Sequence, residues 1–510
     1  MTTTVTTAVP TTDPRTGQEA DTGLQTTAPE EVAACVARAD RAAPQLSALS
    51  RAVRADLLDT LADALEARRA DLVETAGRET GLADARLQGE LSRSVFQLRL
   101  FGEALREGSY LEATIDHAGA TPLGPGPDLR RMLVPIGPVA VFGASNFPFA
   151  FSVPGGDTAS ALAAGCPVVL KAHGSHPLTS QLAFDVMEAA ARDAGAPEGV
   201  LGMVFGQAAG AALVADPRIR AVSFTGSLSG GRALLEIINR REEPVPFFGE
   251  LSSLNPVVVT PGAVAARAGD LATGLFGSVT GSGGQLCTKP GVAFVPSGAE
   301  GDALVDALAD LTGHGAGHVL LNRRIYDAYA EITGRLAAVP GAEVVAEGSA
   351  AAEGFTVAPR LLTTTAKQLT PELTEECFGP LVVVVRYDGV DDLQHALTRV
   401  PRSLTATIHA EADEGALSTD LAERLTPLVG RLVFNGYPTG VRVSWAQHHG
   451  GPWPATNSQH TSVGVSALRR FLRPVAWQDA PEAVLPPELR DGETGVARRV
   501  DGVLTLPAQA

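Results

Sequence analysis

The sequence predicts an α/β protein built on open parallel sheets, on two observations. Between Pro138 and Glu250 short runs alternate with helical segments, and the runs are apolar throughout. Strands covered on both faces read this way, and a parallel sheet flanked by helices covers them so. The alternation then resumes, more loosely, beyond Asn255, so a second α/β unit is expected. At 510 residues with 45% apolar content, the chain is long enough for several globular units.

In chain order, the threonine-rich start, MTTTVTTAVPTTDPRTG, offers no apolar period, and the first twenty residues are expected to be loosely held. Val53, Leu57, Leu58, Leu61 and Leu65 recur at helical spacing and mark an amphipathic helix. A second helix is expected over Glu90 to Leu105, followed by a Gly/Pro-rich excursion from Asp116 to Asp128. PVAVFGA, CPVVLKA, VLGMVFG, RAVSFTG and VPFFGE read as strands. The segments between them read as helices, two closed by Gly165 and Gly195. VAFVP, HVLLN, GPLVVVVRY and RLVFNG are the strands expected of the second unit, and the C-terminal LRDGETGVARRVDGVLTLPAQA reads as an edge strand and tail. GHGAGH and EGSAAAEGF mark loops.

Charge and cysteine content narrow the function. Asp plus Glu number 57 against 40 Lys plus Arg, a formal net charge of −17. That argues against nucleic-acid or anionic-membrane partners. No stretch is apolar and long enough for a membrane span, and the start lacks the basic and apolar regions of a signal peptide. The four cysteines, Cys35, Cys166, Cys287 and Cys377, are far apart and form no CxxC. A reducing, cytoplasmic setting fits them better than a disulfide framework.

Three segments could carry chemistry. Cys287 follows a glycine run in GSGGQLC, Glu250 ends the strand of PFFGE, and Asn146 follows the strand of VFGASN. A thiolate attacks a carbonyl, an amide donates to the resulting oxyanion, and a carboxylate activates water. Each has a plainer reading: a buried small hydrophobe, a solvated strand end and a turn residue respectively. His173 and His176 lack cysteine or carboxylate partners nearby in sequence, so no metal site is expected.

These segments do not stand alone. Phe276 with GQLC (Gly284–Cys287), GEL (Gly249–Leu251), SNFP (Ser145–Pro148), FTGS (Phe224–Ser227) and ECFGP (Glu376–Pro380) occur in the order of the aldehyde dehydrogenase superfamily's motifs. The chain resembles that superfamily from about Thr27 to about Ala480. The resemblance implies an aldehyde dehydrogenase-like fold: two Rossmann-type open parallel-sheet domains and a small β oligomerisation arm. Residues 21–115 with 137–254 would bind the dinucleotide and 255–455 would carry the nucleophile. Residues 116–136 with 475–510 would form the arm and tail, after a flexible segment over 1–20. It implies that Cys287 captures an aldehyde as a thiohemiacetal, that Asn146 and the Cys287 backbone N–H hold its oxyanion, and that Glu250 activates water to hydrolyse the thioester.

The implied cofactor is NADP or NAD. Lys171 would meet the adenosine ribose, Gly226 and Ser227 the pyrophosphate at a helix start, Thr225 the nicotinamide and Glu376 its ribose, with Leu251 and Phe378 alongside. The family's usual K-P-S/A-E run is Lys171, Ala172, His173, Gly174 here. A carboxylate at Gly174 would repel a 2′-phosphate; its absence permits NADP, and His173 and Ser175 could donate to that phosphate. Ser145 replaces the usual tryptophan, and ELSSLNP replaces ELGGK.

These departures, with NGYPTGV and HGGPWPAT, resemble the 2-oxoglutarate semialdehyde (2,5-dioxopentanoate) dehydrogenases, with NADP-dependent fatty-aldehyde dehydrogenases as near relatives. A semialdehyde with a far carboxylate needs a cation, and the resemblance, anchored on QLRLF, puts Arg93 where the family lines its substrate entrance; Phe147, Phe149 and Trp453 would line the same site. The rival substrate is a medium- or long-chain aldehyde. A non-catalytic binding relative and a thioesterase-like hydrolase are readings from other classes. Extended edges seek partners, so the arm is expected to make a homodimer or a dimer of dimers.

Overall fold

The computed structural model describes residues 6–492 and 495–507. In its first sheet β1 (Val139–Phe142), β2 (Val168–Lys171), β3 (Leu201–Val204), β4 (Ala221–Thr225) and β5 (Phe247–Glu250) lie in the order β5-β4-β1-β2-β3. Every pairing is parallel. Alternate residues explain why the strands read as continuously apolar. Val139, Val141, Val168 and Leu170 enter one core, while Ala140, Phe142, Val169 and Val222 enter another on the opposite face. Each fully buried Val or Leu contributes roughly 1.5–3 kcal/mol.

The strand order reverses between β1 and β4, and a crevice opens there at the carboxyl ends of the strands. Register fixes what stands at that edge: Phe142 lies opposite Lys171, and Thr225 opposite Glu250. The loop after β1 carries Asn146. The turn after β4 carries Ser227, which caps the Leu228–Asn239 helix by accepting the Gly230 N–H at 3.2 Å.

The second sheet has β6 (Val257–Val259), β7 (Val292–Pro296), β8 (Glu343–Glu347), β9 (Arg360–Thr365), β10 (Leu381–Tyr387), β11 (Ser403–His409) and β12 (Val429–Phe434). Their order is β8-β9-β10-β7-β6-β11-β12, with β8 antiparallel at one edge. HVLLN is not one of them. Only His318–Val319 is extended, pairing with Thr356–Val357 apart from this sheet. Leu320 and Leu321 turn inward instead, and Asn322 caps the Arg323–Ala337 helix.

Of the remaining β units, two bear on the site and the chain ends. The start of the chain is corrected from Ala8 onward: Ala8–Asp13 and Gln18–Gln25 form an antiparallel hairpin. The Thr16 and Gly17 N–H groups close its turn on the Asp13 carbonyl, and Val9 anchors it beside Ala172 and Phe205. The part of the 1–20 expectation on residues 1–5 lies outside the described residues. The other unit is a five-stranded sheet in the order Leu472–Gln478, Leu129–Pro135, Thr114–Asp116, Arg498–Val500, Val503–Thr505. Among the described residues no helix is long and apolar enough to cross a membrane.

Candidate active site

A cavity of about 1040 Å³ occupies the crevice at the strand ends. Lys171, His173, Gly174, Ser175, Thr225, Gly226, Ser227, Leu251, Glu376 and Phe378 all line it, together with Cys287, Glu250 and Asn146. The structure thus brings to one space residues that the sequence spreads over more than two hundred positions. The hairpin reaches its rim through Thr12, Gly17 and Glu19. A Cβ added to Gly174, an exposed position, would meet nothing within 4 Å. Burial lowers the Lys171 ammonium from its ordinary range. His173 Nδ1 accepts the Ser175 N–H at 3.1 Å, and Ser175 Oγ accepts from Asn322 Nδ2 at 2.8 Å. Glu376 Oε2 accepts from Ser252 Oγ at 2.6 Å.

These lining groups fit a dinucleotide. A cation and hydroxyls stand at one end, the start of a capped helix stands midway, and a carboxylate that can accept from a ribose stands near the thiol. The glycines matter at contact: a Cβ on Gly226 would come within 2.6 Å of the Phe224 ring.

At the other end Cys287 follows the Pro261–Thr280 helix and a tight Gly281–Gly284 turn. Gly284 has φ 69°, and a Cβ there would lie 2.2 Å from the Gly379 backbone, so only glycine lets the Cys287 loop approach the ECFGP segment this closely. Asn255 Nδ2 donates to the Cys287 and Lys289 carbonyls at 2.8 and 3.0 Å, holding the loop from the β5–β6 connection. Asn146 Nδ2 donates to the Gln285 carbonyl at 2.9 Å. That uses one of its two amide hydrogens and leaves the second for a ligand. Among the described residues the Cys287 backbone N–H has no partner.

His449 joins the thiol to the carboxylate. Its Nε2 lies 3.5 Å from Cys287 Sγ and 2.9 Å from Glu250 Oε1, and the three ligand atoms all fall within 4.8 Å of one another. Ser462 Oγ donates to Glu250 Oε2 at 2.6 Å. The loop carrying His449 is tied back by its N–H to Thr461 Oγ1 at 2.8 Å, and it pairs with β5 through Leu251 N–H to the Ala455 carbonyl. Burial pushes the Cys287 thiol well above its ordinary range, and the nearby Glu250 charge adds to this. Burial alone would raise Glu250 too. His449 and the hydrogen bonds from His449 and Ser462 outweigh it, so the carboxyl lies below its usual range.

Sequence reasoning missed His449 as a participant, although HGGPWPAT begins with it. Its partner Glu250 is 199 positions away, and no spacing rule signals such a return. It also missed Ser462 and Asn255. Of the proposed substrate residues, Phe147 lines the cavity. Arg93 lies just behind, its guanidinium 5.4 Å from the ring centroid of Phe151, which does line it. Phe149 is corrected: it is fully buried in the main core, drawn inward because its N–H and that of Ala150 donate to Glu90 Oε1. Trp453 is corrected as well. It is 40% exposed, stacks under Arg232 and does not reach the cavity. His173 and His176 are neighbours, but His176 is spent on the Ala144 carbonyl and Ser180 Oγ.

A sequence profile of the "Aldehyde dehydrogenase family" matches residues 2–453. The chain is 45% identical over 460 residues to "Alpha-ketoglutaric semialdehyde dehydrogenase 2" of Azospirillum brasilense, covering 87% of each chain. It is 44% identical over 459 residues to "Alpha-ketoglutaric semialdehyde dehydrogenase" of Acinetobacter baylyi, covering 89% of this chain and 87% of that one. A solved structure described as an "E. coli NADP dependent enzyme" overlays with a TM-score of 0.79 at 24% identity, over 92% of this chain and 94% of that one. A mutant of Bradyrhizobium japonicum proline utilization A overlays with a TM-score of 0.77 at 24% identity over 89% of this chain; this chain spans 45% of that longer one. At such identity the structural likeness concerns the fold.

Proposed function

The chain belongs to the aldehyde dehydrogenase family, and from that premise we propose that it oxidises 2,5-dioxopentanoate to 2-oxoglutarate with NADP or NAD. It is an enzyme of that family, whose members use a nicotinamide dinucleotide. The two relatives named for alpha-ketoglutaric semialdehyde support the substrate. The observation that carries it here is Arg93: its Nε and Nη2 are buried without a hydrogen-bond partner among the described residues. Two guanidinium nitrogens without a hydrogen-bond partner leave room for a further acceptor, and a substrate carboxylate can take both.

The mechanism follows from the site. Cys287 Sγ forms a bond to the aldehyde carbon while its proton passes toward the His449–Glu250 pair. The carbonyl oxygen gains charge and is met by the free Asn146 amide hydrogen and the Cys287 backbone N–H. A bound nicotinamide would supply the hydride acceptor for this oxidation, and Cys287 would hold the resulting acyl group as a thioester. Glu250, kept anionic by His449 and Ser462, then draws a proton from water, which attacks the thioester; the acid leaves and the thiol is restored. Lys171, Ser227 and Glu376 would hold the dinucleotide, and Gly174, where a carboxylate would repel a 2′-phosphate, permits NADP as well as NAD.

Two coarser properties extend this reading. Val503, Leu504 and Leu506 stay exposed at the edge of the small sheet, which supports a homodimer or a dimer of dimers. Four free cysteines support a reducing, cytoplasmic setting.

The test is an aldehyde panel measured with both cofactors, on the natural enzyme and on Arg93→Ala. The expected outcome is preference for 2,5-dioxopentanoate, a KM for it raised tenfold or more by Arg93→Ala, and little change with hexanal. An unchanged KM, or better turnover of hexanal by the natural enzyme, would favour the fatty-aldehyde alternative.

A further inference from the structure

The oxyanion amide and the nucleophile come from different loops, 141 positions apart in sequence, and something must fix one against the other. One face of the Asp84–Glu107 helix touches both. Arg86 Nη1 donates to Ser282 Oγ in the nucleophile loop at 2.8 Å. Its Nη2 donates to the Asn146 carbonyl and to Glu90 Oε2, each at 3.2 Å. Glu90, one turn on, accepts the Phe149 and Ala150 N–H groups at 2.8 and 2.9 Å through its other oxygen. The guanidinium also lies 4.4 Å from the Phe147 ring centroid. The Asn146–Gln285 bond then closes the ring between the loops.

We propose that Arg86 and Glu90 are positioning residues for the reaction: a helix-borne clamp that holds the Asn146 amide at the oxyanion and couples it to the loop carrying Cys287. Three features support a geometric role over a merely stabilising one. A buried ion pair is a poor source of net stability, yet the Glu90 side chain is 1% exposed here. The planar fork of arginine is the group that can reach two loops at once; a lysine offers one compact donor centre. The contact on the nucleophile side is Ser282, which holds a φ of 52°, a conformation seldom adopted by a residue with a side chain. The loop is thus held in a set shape at the point the clamp grips. Catalysis by oxyanion donors depends on sub-ångström placement, so a small rotation of Asn146 weakens transition-state binding while the dinucleotide end of the cavity is unaffected.

The inference rests on Asn146 acting as the oxyanion donor, and the experiment separates the two ideas. Full-length Arg86→Ala, Arg86→Lys, Ser282→Ala and Asn146→Ala enzymes are compared by steady-state kinetics, NADP⁺ binding by fluorescence titration, and thermal melting. For Arg86→Ala the expected result is a kcat lowered about 10- to 100-fold, with NADP⁺ affinity within twofold and partial recovery of kcat on adding guanidinium chloride at millimolar concentration. Arg86→Lys and Ser282→Ala are expected to lose several-fold each, so the test stands even if Arg86→Ala does not fold. The proposal is overturned if the Arg86 and Ser282 variants keep kcat within twofold while Asn146→Ala loses it. It is also overturned if kcat and NADP⁺ affinity fall together with no guanidinium rescue, because that is a general loss of structure. If Asn146→Ala is itself fully active, the oxyanion reading falls and takes the clamp with it.

Discussion

Cys287 shows how far a single residue can be read from sequence. Its place beside an amide and a carboxylate was legible because the three motifs occurred together in a familiar order. The protonation chemistry around it was not, because His449 reaches the site only when a distant loop folds back. The structure adds a sign. Burial and the Glu250 charge keep the thiol protonated past the usual thiol range, so its alkylation by iodoacetamide is expected to climb with pH well beyond that range. Cys35, Cys166 and Cys377 are buried while Cys287 is part-exposed, and reading the label on the peptide that carries Cys287 assigns the signal. Removing a neighbouring negative charge makes a second one easier to form. Glu250→Gln is therefore expected to move the profile to lower pH, with faster alkylation near neutrality. No shift, or an upward one, would mean that the carboxylate does not stand beside the thiol as an anion.

At the scale of elements, strands buried on both faces announced themselves, and exposed ones did not. The Ala8–Asp13 strand has one buried residue among six, so it carries no apolar period, and the Asp-Pro-Arg-Thr-Gly turn that closes its hairpin was the one available signal. That hairpin matters, since it supplies part of the cavity rim. HVLLN failed for the opposite reason. Its leucines are buried as strongly as a strand's, but by turning into a helix cap, and a short apolar run cannot distinguish the two. The small sheet was legible only as an excursion and a tail. Its outer strand leaves Val503 67% and Leu504 58% exposed, and an apolar edge of this kind needs a cover. Replacing both with Asp is expected to lower the mass seen by sedimentation velocity from a dimer or tetramer to a smaller species. An unchanged mass would remove this edge from the interface.

For the whole molecule, parallel register does the central work. It sets Lys171, Thr225 and Glu250 along one edge of the first sheet, and the second sheet brings Cys287 to the same crevice. Alternating strands and helices foretold that architecture, because both faces of each sheet must be covered. The shape of the cavity could not be foretold; it depends on close approaches such as Gly284 against Gly379 that no periodicity records. On the proposed mechanism Cys287 binds the aldehyde carbon covalently and Glu250 releases the product. Its most direct test is mass spectrometry of the Glu250→Gln enzyme after mixing with 2,5-dioxopentanoate and NADP⁺. The expected result is one 2-oxoglutaryl group retained on the peptide containing Cys287, absent when either reagent is omitted. An inactive Glu250→Gln enzyme with no adduct, or an adduct on any other residue, would contradict the account.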